Sequence, residues 1–191
     1  DAVIKLLAPG DEVIAATDMY GGTYRLFAKI FEKFGIHFHY VDMKDPANIA
    51  AKLNANTKLI WTETPTNPLI NIVDIEAVAA SAKKAGVLLC VDNTFASPYL
   101  QNPLNWGADI VAHSATKYLG GHSDVVLGAV IVNDVRGLQR DPRMAALVAA
   151  RDFPVLVMHN RDEADGNIDI VADMIGFFSR SLQIAERAGI K

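Results

Sequence analysis

Short β-rich runs alternate with amphipathic helical stretches along nearly the whole chain. Strands are predicted at 12–16, 37–41, 58–62, 87–91, 109–113, 125–132 and 154–158, where branched and aromatic residues cluster. Between them, apolar residues return at helical spacing. A helix over 24–34 would place Phe27, Ile30, Phe31 and Phe34 on one stripe and stop at Gly35. Asp45-Pro46 supplies an N-cap and a first-turn proline for a helix that turns Ile49 and Leu53 inward. Asp74 caps a helix reaching Lys84, with Ile75, Val78 and Ala82 inside and Gly86 after it. Asp141-Pro142 starts a helix bearing Met144, Leu147 and Val148. A long helix over 168–188 aligns Val171, Ile175, Phe178, Leu182 and Ala185. The opening, Asp1 to Leu7, reads as the tail of a helix with neither an initiator Met nor a cap. From this we expect an upstream segment to have been removed.

Alternating strands and helices imply βα units. The fold class expected is α/β, a three-layer sandwich with a mostly parallel sheet, built as one domain over 1–191. The run Val87 to Val91 has no polar alternation, which fits a strand covered on both faces. A length of 191 residues with 51% hydrophobic and 21% charged positions suits a sizeable core. A net charge of −4 gives no electrostatic case for nucleic acid or an anionic membrane surface. No apolar run is long enough to span a bilayer. Cys90 is the sole cysteine, so a cytoplasmic setting without disulfides is expected. His37 and His39 share a strand face but lack a third ligand at metal-binding spacing, so no metal is expected.

In parallel α/β sheets, ligands sit beyond the carboxyl ends of the strands. Three strand ends carry chemistry: Glu63-Thr64-Pro65-Thr66-Asn67-Pro68, Asp92-Asn93-Thr94, and Ser114-Ala115-Thr116-Lys117-Tyr118 followed by Gly120-Gly121-His122. A partly buried lysine can lose its proton and attack a carbonyl. A carboxylate can keep a pyridine nitrogen protonated, and clustered hydroxyls can donate to a phosphate. Taken singly, each residue has a plain structural role: a surface lysine, a turn-capping Asp92, a tight turn at Tyr20-Gly21-Gly22, hydroxyls on local backbone.

With Asp18-Met19-Tyr20-Gly21-Gly22-Thr23, these ordered motifs resemble the large domain of the cystathionine γ-synthase/γ-lyase and methionine γ-lyase group of pyridoxal-phosphate enzymes, over residues 1 to about 132. The resemblance implies pyridoxal phosphate as cofactor and assigns roles. Lys117 would bond to the cofactor and Asp92 would pair with its ring nitrogen. Tyr20 would stack on the ring and carry protons. Ser114 and Thr116 would bind phosphate, Asn67 would meet the ring hydroxyl side, and Glu63 would support the pocket. It also implies a phosphate-binding, subunit-bridging segment ahead of Asp1 and a substrate arginine in a C-terminal domain, and we expect both to have been lost.

From about residue 130 the text changes. Val130 to Leu138, Arg140 to Ala145, Pro154 to Arg161 and the final helix resemble a fragment of dihydropteroate synthase, a TIM barrel. There Asn133 would contact a pterin substrate, with Asn160 and Arg161 nearby. A seam near 132/133 points to an engineered chimera, a hybrid of a pyridoxal-phosphate large domain and barrel βα units. The expected function is an α/β scaffold keeping a partial cofactor site without native catalysis. A pyridoxal-phosphate lyase or transferase of sulfur amino acids is the alternative, and a pterin- or phosphate-binding module the third. Exposed sheet edges would favour homo-oligomers.

Overall fold

The computed structural model describes residues 2–119, 128–134, 139, 142–151, 155–157 and 170–190. The chain divides into two compact units, Asp1–Val130 and Ile131–Lys191.

The first unit holds β1 (Glu12–Ala16), α1 (Gly21–Lys29), β2 (His37–Val41), α2 (Pro46–Ala50), β3 (Thr57–Glu63), α3 (Ile75–Ala85), β4 (Leu88–Asp92), α4 (Ser97–Leu100) and β5 (Ile110–Ser114). All its strand pairs are parallel, in the order β2-β1-β3-β4-β5. Successive residues of one strand feed opposite cores. Ile14, Ile60, Leu89 and Val91 pack with α3 residues Ile75, Val78 and Ala82. Val13, Leu59, Trp61 and Cys90 pack on the other face with Phe27, Phe31 and Ile4. Coverage on both faces explains why these strands carry no polar alternation. The order reverses at β1, whose neighbours are β2 and β3, and in parallel sheets the carboxyl ends at such a reversal are where ligands bind.

Local chemistry sets the element ends. The Asp45 carboxylate accepts from Ala47 N–H at 2.9 Å, and the Asp74 carboxylate from Ala77 N–H at 3.0 Å, each satisfying an orphan amide of a first turn. Gly86 ends α3 at φ 68°, where a side chain would be strained. At the amino end of the sheet His39 is spent structurally: its Nε2 meets Glu12 Oε2 at 2.6 Å.

Several expectations need correction. The helix over 24–34 is two pieces: α1 ends at Lys29, and a 3₁₀ turn covers Phe31–Phe34. The tighter winding breaks the stripe. Phe27 and Phe31 are buried, while Ile30 and Phe34 stand exposed. The opening residues form only a 3₁₀ turn at Ile4–Leu6, with Val3 and Ile4 in the core. Helix α4 and a 3₁₀ turn at Pro103–Trp106 have no counterpart in the sequence reading.

The strand expected over 125–132 is β6 (Gly128–Asp134), and residues 125–127 lie outside the described residues. In the second unit it pairs in parallel with β7 (Val155–Val157), Val132 opposite Val155 and Asn133 opposite Leu156. Helices α5 (Pro142–Arg151) and α6 (Ile170–Ala188) contact each other. Ala145 and Val148 of α5 are buried, as are Phe177 and Ser181 of α6. The expected stripe of α6 is therefore displaced, for Ile175 and Leu182 are exposed. On the buried face, the Gln139 side-chain amide donates to Phe177 O at 3.1 Å and Ser181 Oγ at 3.0 Å.

Candidate functional site

The site is assembled at the carboxyl ends of β1, β3, β4 and β5. Glu63 closes β3 and Asp92 closes β4, and the two are partners in strand register. Both carboxyls are drawn from water. Burial pushes Glu63 up to about 7, opposed by the Tyr20 amide and reinforced by the negative charges of Asp92 and Asp18. Burial also raises Asp92, against the lowering effect of two hydrogen bonds from Thr94 and the nearby His113 ring. Among the described residues Asp92 makes no ion pair, so a cation beside it would be strongly welcomed.

Tyr20 stands over the strand-order reversal. Its backbone N–H donates to Glu63 Oε2 at 2.8 Å, tying the β1 loop to the end of β3. Its ring is about half exposed and folds across Gly22, where an added Cβ would overlap the ring itself. Gly22 is thus the residue that lets the ring lie there. Residues Gly21 and Gly22, read singly as part of a turn, are the first turn of α1.

The loop after β3 is held by Asp18. Thr66 Oγ1 and Asn71 Nδ2 both donate to Asp18 Oδ2, the latter at 3.0 Å. Thr66 Oγ1 also accepts Asn71 N–H at 2.8 Å. Asn67 sits half-buried in this loop. Asn93 Nδ2 donates to the Gln101 backbone O, and Gln101 Nε2 donates to Asn93 Oδ1 and to Thr64 O, each at 2.8 Å.

After β5 the chain turns, with Lys117 N–H donating to Ser114 O at 3.0 Å. That turn brings Ser114 Oγ and Thr116 Oγ1 to 2.7 Å and leaves Lys117 exposed. His113, just inside the strand, is buried, and its Nδ1 has no hydrogen-bond partner among the described residues. Burial lowers its affinity for a proton, with Asp92 pulling the other way.

Seven residues singled out from the sequence therefore share this end of the first unit: Tyr20, Glu63, Asn67, Asp92, Ser114, Thr116 and Lys117. Asn133 lies on β6 in the second unit. Residues Gly120, Gly121, His122, Asn160 and Arg161 lie outside the described residues. Sequence reasoning gave no role to Asp18, Thr94 or His113. The first two stand inside the motifs and His113 directly before one, but their bonds become visible only once the loops meet. Chemically the cluster offers a carboxylate drawn from water with no ion pair among the described residues, a hydroxyl pair and an exposed lysine. Such a set suits a ligand with a basic ring nitrogen, an anionic group and an electrophilic carbon.

Comparison with known proteins gives this geometry a context. The profile of the Cys/Met metabolism PLP-dependent enzymes matches residues 1–153, and that of the pterin binding enzymes matches residues 122–191. The cystathionine gamma-synthase/O-acetylhomoserine (thiol)-lyase of Bacillus subtilis is 53% identical over 134 residues, 70% of this chain and 36% of that protein. The cystathionine gamma-lyase of the same organism is 55% identical over 130 residues, 68% of this chain and 34% of that protein. The crystal structure of metB from Corynebacterium glutamicum superposes with a TM-score of 0.71 at 46% identity, covering 81% of this chain and 40% of that one. The chain thus spans about a third of the curated relatives' length. Among the described residues no helix is long and apolar enough to cross a membrane.

Proposed function

Because the chain belongs to the family of Cys/Met metabolism PLP-dependent enzymes, we propose that it binds pyridoxal phosphate where β3, β4 and β5 end. In this reading it forms the cofactor-binding part of a lyase or transferase acting on sulfur amino acids. The observation that carries the reading is Asp92, a carboxylate raised by burial with no cation beside it among the described residues. A protonated ring nitrogen is the partner its environment lacks. When bound, the cofactor supplies an electron sink for charge developing on the amino acid. The chain's own residues bind and orient it. Asp92 holds the ring nitrogen protonated. Ser114 and Thr116, already bonded to each other, turn outward to a phosphate. Lys117 anchors the cofactor covalently, and Tyr20 covers the ring from the α1 side and moves protons. Glu63 fixes the Tyr20 backbone, and Asn67 faces the ring hydroxyl.

The test is spectroscopic. Mixed with pyridoxal phosphate, the protein should develop an absorption band at the violet edge of the visible that Lys117→Ala abolishes. Absence of the band at saturating cofactor would refute the assignment. Release of thiol from methionine or cystathionine then reports whether turnover accompanies binding.

A second reading is favoured by one observation: two family profiles overlap at 122–153, and the chain divides into its two compact units between Val130 and Ile131, within that overlap. It takes the chain as a chimera, with a pyridoxal-phosphate part over 1–132 and a dihydropteroate-synthase part over 133–191. Such a scaffold keeps the cofactor site without native turnover. A cofactor band without thiol release would favour it. Heat on adding a pterin analogue, lost in Asn133→Ala, would add a pterin site to the second part.

A further inference from the structure

The Asp92 carboxylate does not face the crevice with two equivalent oxygens. Its Oδ1 accepts twice from Thr94, from the backbone N–H at 3.1 Å and from Oγ1 at 2.5 Å. In the second bond Thr94 Oγ1 donates to the carboxylate, which when ionised can only accept, and the same Oγ1 accepts Ser114 N–H at 2.8 Å. A hydroxyl has one proton to give and two lone pairs to receive with, so Thr94 serves both partners at once. Oδ2 carries no hydrogen bond among the described residues. The same Ser114 holds Thr116 through its own hydroxyl at 2.7 Å. A continuous chain therefore runs Asp92–Thr94–Ser114–Thr116, crossing from β4 to β5. The backbone is locked alongside it by Asn93 N–H donating to Ala112 O at 2.9 Å.

We propose that Thr94 is a positioning residue: it saturates Asp92 Oδ1, presents Oδ2 to the cofactor's ring nitrogen, and sets the spacing between that oxygen and the Ser114–Thr116 hydroxyls. The part concerning the cofactor rests on the site reading above. The part concerning Asp92 does not. Thr94 is the only described side chain donating a hydrogen bond to this carboxylate. The charged and titratable groups facing Asp92 divide. The Asp92 charge opposes the ionisation of Glu63 on β3, the His113 ring on β5 favours that of Asp92, and Cys90 on its own strand is held protonated by burial. Removing the Thr94 hydroxyl leaves the backbone amide as the one hydrogen-bond donor on Oδ1.

The experiment compares Thr94→Val, isosteric without the hydroxyl, with Thr94→Ser, which restores it, after both are shown to melt as the parent does. Thr94→Ala stands in if the valine variant fails to fold. In cofactor-free protein, carbon-13 NMR follows the Asp92 carboxyl across pH. A hydrogen bond to a charged group is worth enough to raise its midpoint by about one to two units in Thr94→Val. Thr94→Ser should stay with the parent. Affinity for pyridoxal phosphate should fall about 10- to 100-fold in Thr94→Val and recover in Thr94→Ser. An unmoved Asp92 midpoint in Thr94→Val, or a serine variant as impaired as the valine one, would overturn the proposal. Should the parent itself bind no pyridoxal phosphate, the site reading falls, and the Asp92 midpoint alone still decides whether Thr94 governs this carboxylate.

Discussion

Glu63→Gln separates the electrostatics of the site from its packing. Glu63 is buried, and its carboxyl is raised from 4.5 to about 7, first by burial and then by the charges of Asp92 and Asp18. A raised acid holds its proton in the folded chain at pH values where the unfolded chain has released it. The folded state is therefore penalised as pH climbs from 4.5 towards 7, and the penalty stays constant above. At about 1.4 kcal/mol per unit, the full penalty is about 3 kcal/mol. Glutamine has no such titration and keeps an oxygen for the Tyr20 N–H. Its extra amide protons need partners, which subtracts a term independent of pH. Urea unfolding of both proteins at a series of pH values, without cofactor, isolates the effect. The stability difference, variant minus parent, should rise by about 2 to 3 kcal/mol between pH 4.5 and 7.5 and then level off. A difference that is flat across that window, or that falls, would refute the account of Glu63 as a neutralised buried acid.

Two further perturbations test the frame around the site. Gly22→Ala puts a methyl where the Tyr20 ring lies, so the ring must swing away. Cofactor affinity should fall about 3- to 10-fold, consistent with the loss of one aromatic contact, while the melting temperature stays close to the parent's. Equal affinity would show that the Tyr20 ring is not used. Ile70 is a β-branched residue at φ 56° and is exposed, so Ile70→Gly removes backbone strain with little loss of burial. Urea unfolding should show a gain of about 1 kcal/mol, and a loss would contradict the strain.

Much of this architecture is written into local sequence. The strand cores were legible because Val, Ile and Leu runs such as Val87 to Val91 admit burial on both faces. The caps Asp45, Asp74 and Gly86 were legible because each answers a purely local backbone need. The helical faces were harder. Adjacent Phe177 and Phe178 give α6 two nearly equivalent apolar stripes, and the choice between them depends on packing against α5, which local spacing does not report. The break at Ile30 likewise depends on where Phe31 finds its core, not on any proline or glycine inside the stretch. At the site, residue identity at strand ends revealed Lys117, Asp92 and Glu63, because parallel sheets gather those ends together. Spacing along the chain did not reveal the strength of Glu63's burial or Thr94's divided hydroxyl, which arise when β3, β4 and β5 come side by side.

The central claim is a covalent cofactor bond at one particular lysine. Incubation with pyridoxal phosphate, reduction with borohydride and peptide mass mapping report it directly. The account predicts one pyridoxyl group per chain, on the peptide bearing Lys117. Labelling spread over surface lysines such as Lys83 and Lys84, with Lys117 no more modified than they are, would contradict it.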